Sequence, residues 1–130
     1  RLRMTTLYQV AAANKGIVVG TGNKVEDFGV GFYTKYGDGG VDISPIADCN
    51  KTEVWELGKE LNILKEIIEA PPTDGLWDDG RTDEGQLGLS YKELEEAMNN
   101  EKSINRDKFI KIRNANLHKM NPIPVCKIPK

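Results

Sequence analysis

Residues 20–45 read GTGNKVEDFGVGFYTKYGDGGVDISP, and this order of residue types decides the kind of fold that surrounds them. Just before it, Ile17-Val18-Val19 is a continuous β-branched run, the pattern of a short strand buried on both faces in a parallel sheet. The run ends in the polar turn Gly20-Thr21-Gly22-Asn23. A helix is expected over about 24–34. Gly29 and Gly31 weaken it, each costing about 1 kcal/mol relative to alanine, and point to close packing or close approach to a ligand. Residues 35–40 are a turn by composition, and 41–46 hold a second short strand ended near Pro45. Strands joined through a helix run parallel with a right-handed crossover. That geometry puts Thr21, Asn23, Glu26, Lys35, Asp38 and Asp42 around two turns on one edge of the sheet.

Working outward, residues 1–14 carry Leu2, Leu7, Val10 and Ala11 at helical spacing, and Asn14-Lys15-Gly16 closes that helix. Asn50-Lys51-Thr52-Glu53 is a capping box opening a helix to about Leu61, with a further helical piece at 63–69 stopped by Pro71-Pro72. Residues 71–89 form the one long irregular segment, of a length that is functional or disordered in compact domains. Ser90-Tyr91-Lys92-Glu93 is a second capping box for a helix to about Met98. A last helix spans about 105–117, and the tail, with three prolines from 120 onward, is extended.

The expected fold class is α/β: part of a doubly wound parallel sheet with flanking helices. Two parallel strands cannot form a sheet covered on both faces. The 130 residues therefore read as the C-terminal part of a single larger domain whose N-terminal strands are missing here. A net charge of −2 gives no bulk attraction to nucleic acid or an anionic membrane, and no apolar run approaches the roughly 18 residues of a membrane span. Cys49 and Cys126 lack metal-ligand spacing and read as free thiols.

Several groups are chemically suggestive. The turn at 20–23 leaves a strand and opens a helix, where free N–H groups and the helix dipole favour anions. It lacks the third glycine of a dinucleotide fingerprint and the Lys-Ser/Thr of a Walker loop. Glu26 near the start of that helix fits dipole pairing or a Mg²⁺ ligand beside phosphates. Lys51, at a helix start, runs against the dipole unless a phosphate arrives; Lys35 lies in the glycine turn. Asp74, Asp78, Asp79, Asp83 and Glu84, against Arg81 alone, read as a solvated acidic lid. The seven Lys/Arg of 106–130 read as a solvated helix face. No nucleophile motif accompanies His118, so no catalytic residue is assigned.

Six blocks resemble the NAD synthetases of the ATP pyrophosphatase superfamily, in that family's order. They are RLRM at 1–4, GTGNKVE at 20–26, FYTKYGDGGVDISPI at 32–46, KTEVWEL at 51–57, PPTDGL with DEGQLGLSY within 71–91, and HKM at 118–120. The resemblance implies an adenine nucleotide alpha-hydrolase-like fold. It implies ATP-dependent amidation of deamido-NAD to NAD, with ammonia as nitrogen donor, through an acyl-adenylate, releasing AMP and pyrophosphate. It assigns Thr21, Lys51 and Thr73 to ATP, Glu26 to Mg²⁺, and Arg1, Lys35, Asp42, His118 and Lys119 to deamido-NAD. It also implies a cytoplasmic homodimer with a lid over 71–89. The family's SGGxDS phosphate loop has no counterpart in residues 1–130, so the ligase activity is expected of the intact protein and not of this chain alone. A glutamine-dependent synthetase and an inactive dinucleotide-binding fragment are the alternatives.

Overall fold

The computed structural model describes residues 1–129. These form α1 (Leu2–Ala13), a π-helix (Lys24–Val30), α2 (Lys51–Glu60), α3 (Lys65–Ile68), α4 (Asp83–Leu87), α5 (Tyr91–Asn99) and α6 (Arg106–Met120). The Ser90 capping box closes from both sides, Glu93 accepting from the Ser90 N–H at 2.8 Å and Ser90 Oγ from the Glu93 N–H at 3.3 Å. At Asn50 the Glu53 half forms, accepting from the Asn50 N–H at 2.6 Å, while Asn50 Oδ1 is left without a partner among the described residues.

The two expected strands reduce, among the described residues, to one parallel bridge between Val19 and Ile43. The sense is as expected: the Gly20 N–H donates to Ile43 O at 2.7 Å and the Asp42 N–H to Val18 O at 2.9 Å. The pairing stops there because the Val18 N–H turns to the Asp42 carboxylate at 2.8 Å, and Pro45 has no N–H to give. The run is also covered on one face only. Val18 is buried, whereas Ile17 and Val19 are 59% and 52% exposed.

The expected helix over 24–34 is instead a seven-residue π-helix ending at Val30. Asn23 caps it, its side-chain oxygen accepting from the N–H groups of Val25 at 3.2 Å and Glu26 at 3.1 Å. Gly31, at φ 67°, ends it in the left-handed region. The wider coil buries Val25, Gly29 and Val30 together. Val25 and Val30 join Leu87, Leu89, Tyr91, Leu94, Ala97 and Phe109 in a core between the π-helix, α5 and α6.

Of the cations of α6, Lys108 and Lys111 lie on the expected exposed face, whereas Arg106, Arg113 and Lys119 do not. Arg113 donates to Phe28 O and, at 2.6 Å, to Gly29 O; Lys119 reaches Gly31 O at 2.9 Å and Tyr33 O at 2.8 Å. These carbonyls lie at and beyond the C-terminal end of the π-helix, where helix carbonyls lack partners and favour positive charge. Arg106 does the same for α5, meeting Ala97 O at 2.7 Å and Met98 O at 3.1 Å.

Candidate active site

The turns at 20–23 and 35–40 do meet. A cavity of about 70 Å³ lies between them, with Gly20 and Gly22 on one wall and Asp38 and Gly39 on the other, closed by Asp27 and Tyr33. Asp38 makes its turn as expected, accepting from the Thr34 N–H at 2.9 Å. Asp27 lies so close to Gly22 that a Cβ there would sit 1.9 Å from Asp27 Oδ2. Burial first, then the charges of Glu26 and Asp38, push the Asp27 carboxyl up to about 7.

At the N-terminal end of the π-helix, Glu26 is the hub of a partly buried polar cluster. Lys51, the first residue of α2, ion-pairs with Glu26 Oε1 at 3.2 Å, the two side chains being 20% and 15% exposed. This partner resolves the clash between Lys51 and its own helix dipole. The Tyr91 hydroxyl donates to the same Oε1, and Asn23 Nδ2 donates to Oε2. Tyr91 is fully buried, its ring edge-on to Trp55 at 5.9 Å and faced by the Lys51 ammonium at 5.0 Å. Asp83 Oδ2 stands 3.3 Å from the Tyr91 hydroxyl, while Asp83 Oδ1 is buried with no hydrogen-bond partner among the described residues.

Burial, then the Glu26 charge, raises the Asp83 carboxyl above its usual range; burial and the hydrogen bond to Glu26 raise the Tyr91 phenol. The Tyr91 hydroxyl thus has two carboxylate acceptors, Glu26 at short range and Asp83 Oδ2 at 3.3 Å. Asp83 departs from the expected solvated acidic lid: Leu87, at the other end of α4, joins Tyr91 in the core, and Asp83 is buried with it. Arg81 and Asp79 do stay outside, paired at 2.5 Å.

Beyond the other end of the π-helix, Arg1 donates to Lys35 O at 3.2 Å and Lys35 Nζ to His118 O at 2.5 Å. Tyr33 donates to Lys119 O at 2.6 Å. Arg1, Lys35, His118 and Lys119 thus converge from α1, the glycine turn and the end of α6. Lys119 turns its ammonium inward to backbone carbonyls, and burial lowers its affinity for a proton. Asp42 lies apart, accepting from the Val18 N–H at 2.8 Å and the Tyr8 hydroxyl at 3.3 Å. Thr21 is exposed. Thr73 accepts from the Gly75 N–H at 3.1 Å, inside a loop tied off by the Asp83 N–H on Pro72 O at 3.0 Å. Neither threonine is drawn into the Glu26 cluster.

The family model for NAD synthase matches residues 1–126. The chain belongs to the NAD synthase family. It is 45% identical over 130 residues to an NH(3)-dependent NAD(+) synthetase of Alkaliphilus oremlandii, covering 98% of this chain and 51% of that protein. A Methanosarcina acetivorans protein of the same name is 43% identical over 124 residues, 95% of this chain and 48% of its own. The chain spans about half the length of the curated relatives it matches. Among solved structures, an NMN synthetase from Francisella tularensis superposes with a TM-score of 0.88 at 34% identity, over 98% of this chain and 53% of that one. An NH3-dependent NAD synthetase from Campylobacter jejuni, in complex with nitrate, gives 0.66 at 25%, over 97% and 52%. These likenesses agree with the adenine nucleotide alpha-hydrolase-like fold.

Sequence reasoning names Glu26, Asn23 and Lys51 but misses two residues that organise them, Tyr91 and Asp83. Tyr91 reads as the first residue after a capping box, and Asp83 as one acid among five. The donor set suits a hard divalent cation in part. Glu26 offers carboxylate oxygen and Asp83 a buried oxygen without a partner, but no group of three or more His, Cys, Asp or Glu among the described residues is placed to hold a metal.

Proposed function

We propose that the protein containing this chain is a carbon-nitrogen ligase that amidates deamido-NAD to NAD, using ATP and ammonia through an acyl-adenylate. The observation that carries this reading is the 3.2 Å pair of Glu26 and Lys51, the residues the family resemblance gives to Mg²⁺ and to ATP. The gathering of Arg1, Lys35, His118 and Lys119 supports a dinucleotide contact.

A carboxylate is a poor acyl donor, so one of its oxygens must become a leaving group. Attack on the ATP α-phosphate does this and releases pyrophosphate; ammonia then displaces AMP. Lys51 would carry positive charge to the phosphates, and Glu26 would hold Mg²⁺. When bound, Mg²⁺ supplies neutralisation of the charge that builds on the phosphoryl oxygens. Thr21 and Thr73 would add contacts to ATP, and the segment at 71–89 would exclude water from the hydrolysable adenylate. Arg1, Lys35, Asp42, His118 and Lys119 would hold deamido-NAD. Residues 1–130 would be the C-terminal part of one synthetase domain with a doubly wound sheet. The whole would act as a cytoplasmic homodimer, with these residues alone inactive.

The test is NAD formation by the full-length protein from deamido-NAD, ATP, Mg²⁺ and ammonium, followed by chromatography. Absence of NAD overturns the reading; a rate that rises with glutamine in place of ammonium indicates the glutamine-dependent alternative. A second reading is favoured by the TM-score of 0.88 with the NMN synthetase: a mononucleotide carboxylate as the amide acceptor. Faster turnover of nicotinate mononucleotide than of deamido-NAD in the same assay would select it.

A further inference from the structure

We propose that Tyr91, with Asp83 behind it, is a positioning residue that aims the Glu26 carboxylate at a divalent cation; this rests on the function proposed above. A carboxylate that must bind a cation needs its other interactions fixed beforehand. Partners of this kind are worth about 10–100-fold in metal affinity.

Tyr91 is built for that role. Its ring is fully buried, held by Trp55 and by Lys51, so the hydroxyl cannot swing away. The hydroxyl sits on Glu26 Oε1, and Asp83 Oδ2 at 3.3 Å fixes its rotation. Asn23 secures Oε2. The same helix holds the other half of the pair. Glu95 of α5 accepts from the Thr52 N–H at 3.0 Å and the Thr52 hydroxyl at 2.7 Å, pinning the start of α2 beside Lys51. The backbone of Tyr91 is itself held, its N–H donating to Glu84 Oε1 at 2.9 Å. Lys51 and Tyr91 share Oε1. If Lys51 leaves for a phosphate, Tyr91 and Asn23 stay, and the carboxylate keeps its aim.

The experiment uses full-length protein and Mn²⁺ as the probe, with free Mn²⁺ read by its electron paramagnetic resonance signal. Tyr91→Phe keeps the ring contacts and deletes only the hydroxyl. It should weaken Mn²⁺ binding about tenfold, with deamido-NAD affinity by calorimetry unchanged. Glu26→Gln supplies the cycle: if Tyr91 acts through Glu26, adding Tyr91→Phe to Glu26→Gln changes Mn²⁺ binding no further. Should Tyr91→Phe fail to fold, Asp83→Ala tests the same rotor and should weaken Mn²⁺ in the same direction. Wild-type-like Mn²⁺ binding in the variant tested, additive losses in the cycle, or no Mn²⁺ binding by an active wild type each overturn the proposal. Absence of NAD formation by the wild type overturns the functional reading instead.

Discussion

Asp27 offers the sharpest test of the charge arrangement. Its carboxyl lies half-buried against Gly22, facing Glu26 and Asp38. Burial first, and those like charges second, raise its folded pKa from 3.8 to about 7. An acid whose folded pKa exceeds its unfolded value holds its proton more firmly when folded. Folding then takes up a proton between the two values, and stability falls as pH rises through that window, from about 4 to about 7. A shift of this size would correspond to about 4 kcal/mol for a group wholly out of solvent. Because Asp27 is only half-buried, solvent screening reduces it, and about 2 kcal/mol is a reasonable expectation. Asp27→Asn keeps the shape and cannot ionise. In urea unfolding of the full-length protein it should stabilise by about 2 kcal/mol near pH 8 and by nearly nothing near pH 4. The wild type should lose stability over that range more steeply than the variant. An equal difference at both pH values, or a variant less stable at pH 8, would refute the reasoning.

Two further substitutions probe how the π-helix is held. Arg113→Met removes the donor to Phe28 O and Gly29 O, charge-assisted bonds worth about 1.5–3 kcal/mol, and should lower the urea midpoint without changing the slope. Gly31→Ala places a Cβ at φ 67° and 2.6 Å from Asn116 Cβ; it should cost about 1–3 kcal/mol and be read as a fall in melting temperature.

How much of this was legible in the sequence depends on whether a signal was local. The capping boxes at Asn50 and Ser90 depend on residues three positions apart; the Ser90 box forms in full, and both helices start where the boxes place them, with Glu53 bonded back to the Asn50 N–H. The two glycines at 29 and 31 signalled close packing, and each does face a neighbour: a Cβ would meet Met98 Sδ at 3.3 Å and Asn116 Cβ at 2.6 Å. The π-helix itself was not legible, because its period lies outside the templates that read apolar spacing as helix or strand. The strands were over-read for a related reason. A β-branched run reports what a segment prefers, whereas ladder length depends on neighbours, and here the Asp42 carboxylate takes a ladder N–H. Asp83 and Tyr91 were invisible as site residues because their importance lies in contacts to Glu26 and Lys51 made across many positions. Composition assigned the acids of the loop to solvent; only the packing of α4 and α5 separates Asp83 from Asp79.

The shared oxygen of Glu26 also makes a prediction about the order of events. Lys51 and Glu26 neutralise one another across 3.2 Å with little solvent around either. Moving one partner away alone leaves a poorly solvated charge, which is costly. A phosphate and a cation arriving together would satisfy both sides of the broken pair, whereas a cation alone must displace Lys51. On the function proposed above, Lys51 would be both a competitor for the cation and a receptor for the nucleotide. Lys51→Met separates these roles, with opposite signs. Without nucleotide it should bind Mn²⁺ more tightly, by about 1 kcal/mol for a partly exposed pair, or about fivefold. Its affinity for an ATP analogue with a methylene between the α- and β-phosphates should fall by about tenfold or more. A merely structural lysine would weaken both ligands together, so parallel losses, measured by calorimetry on a variant that melts like the wild type, would rule out the exchange.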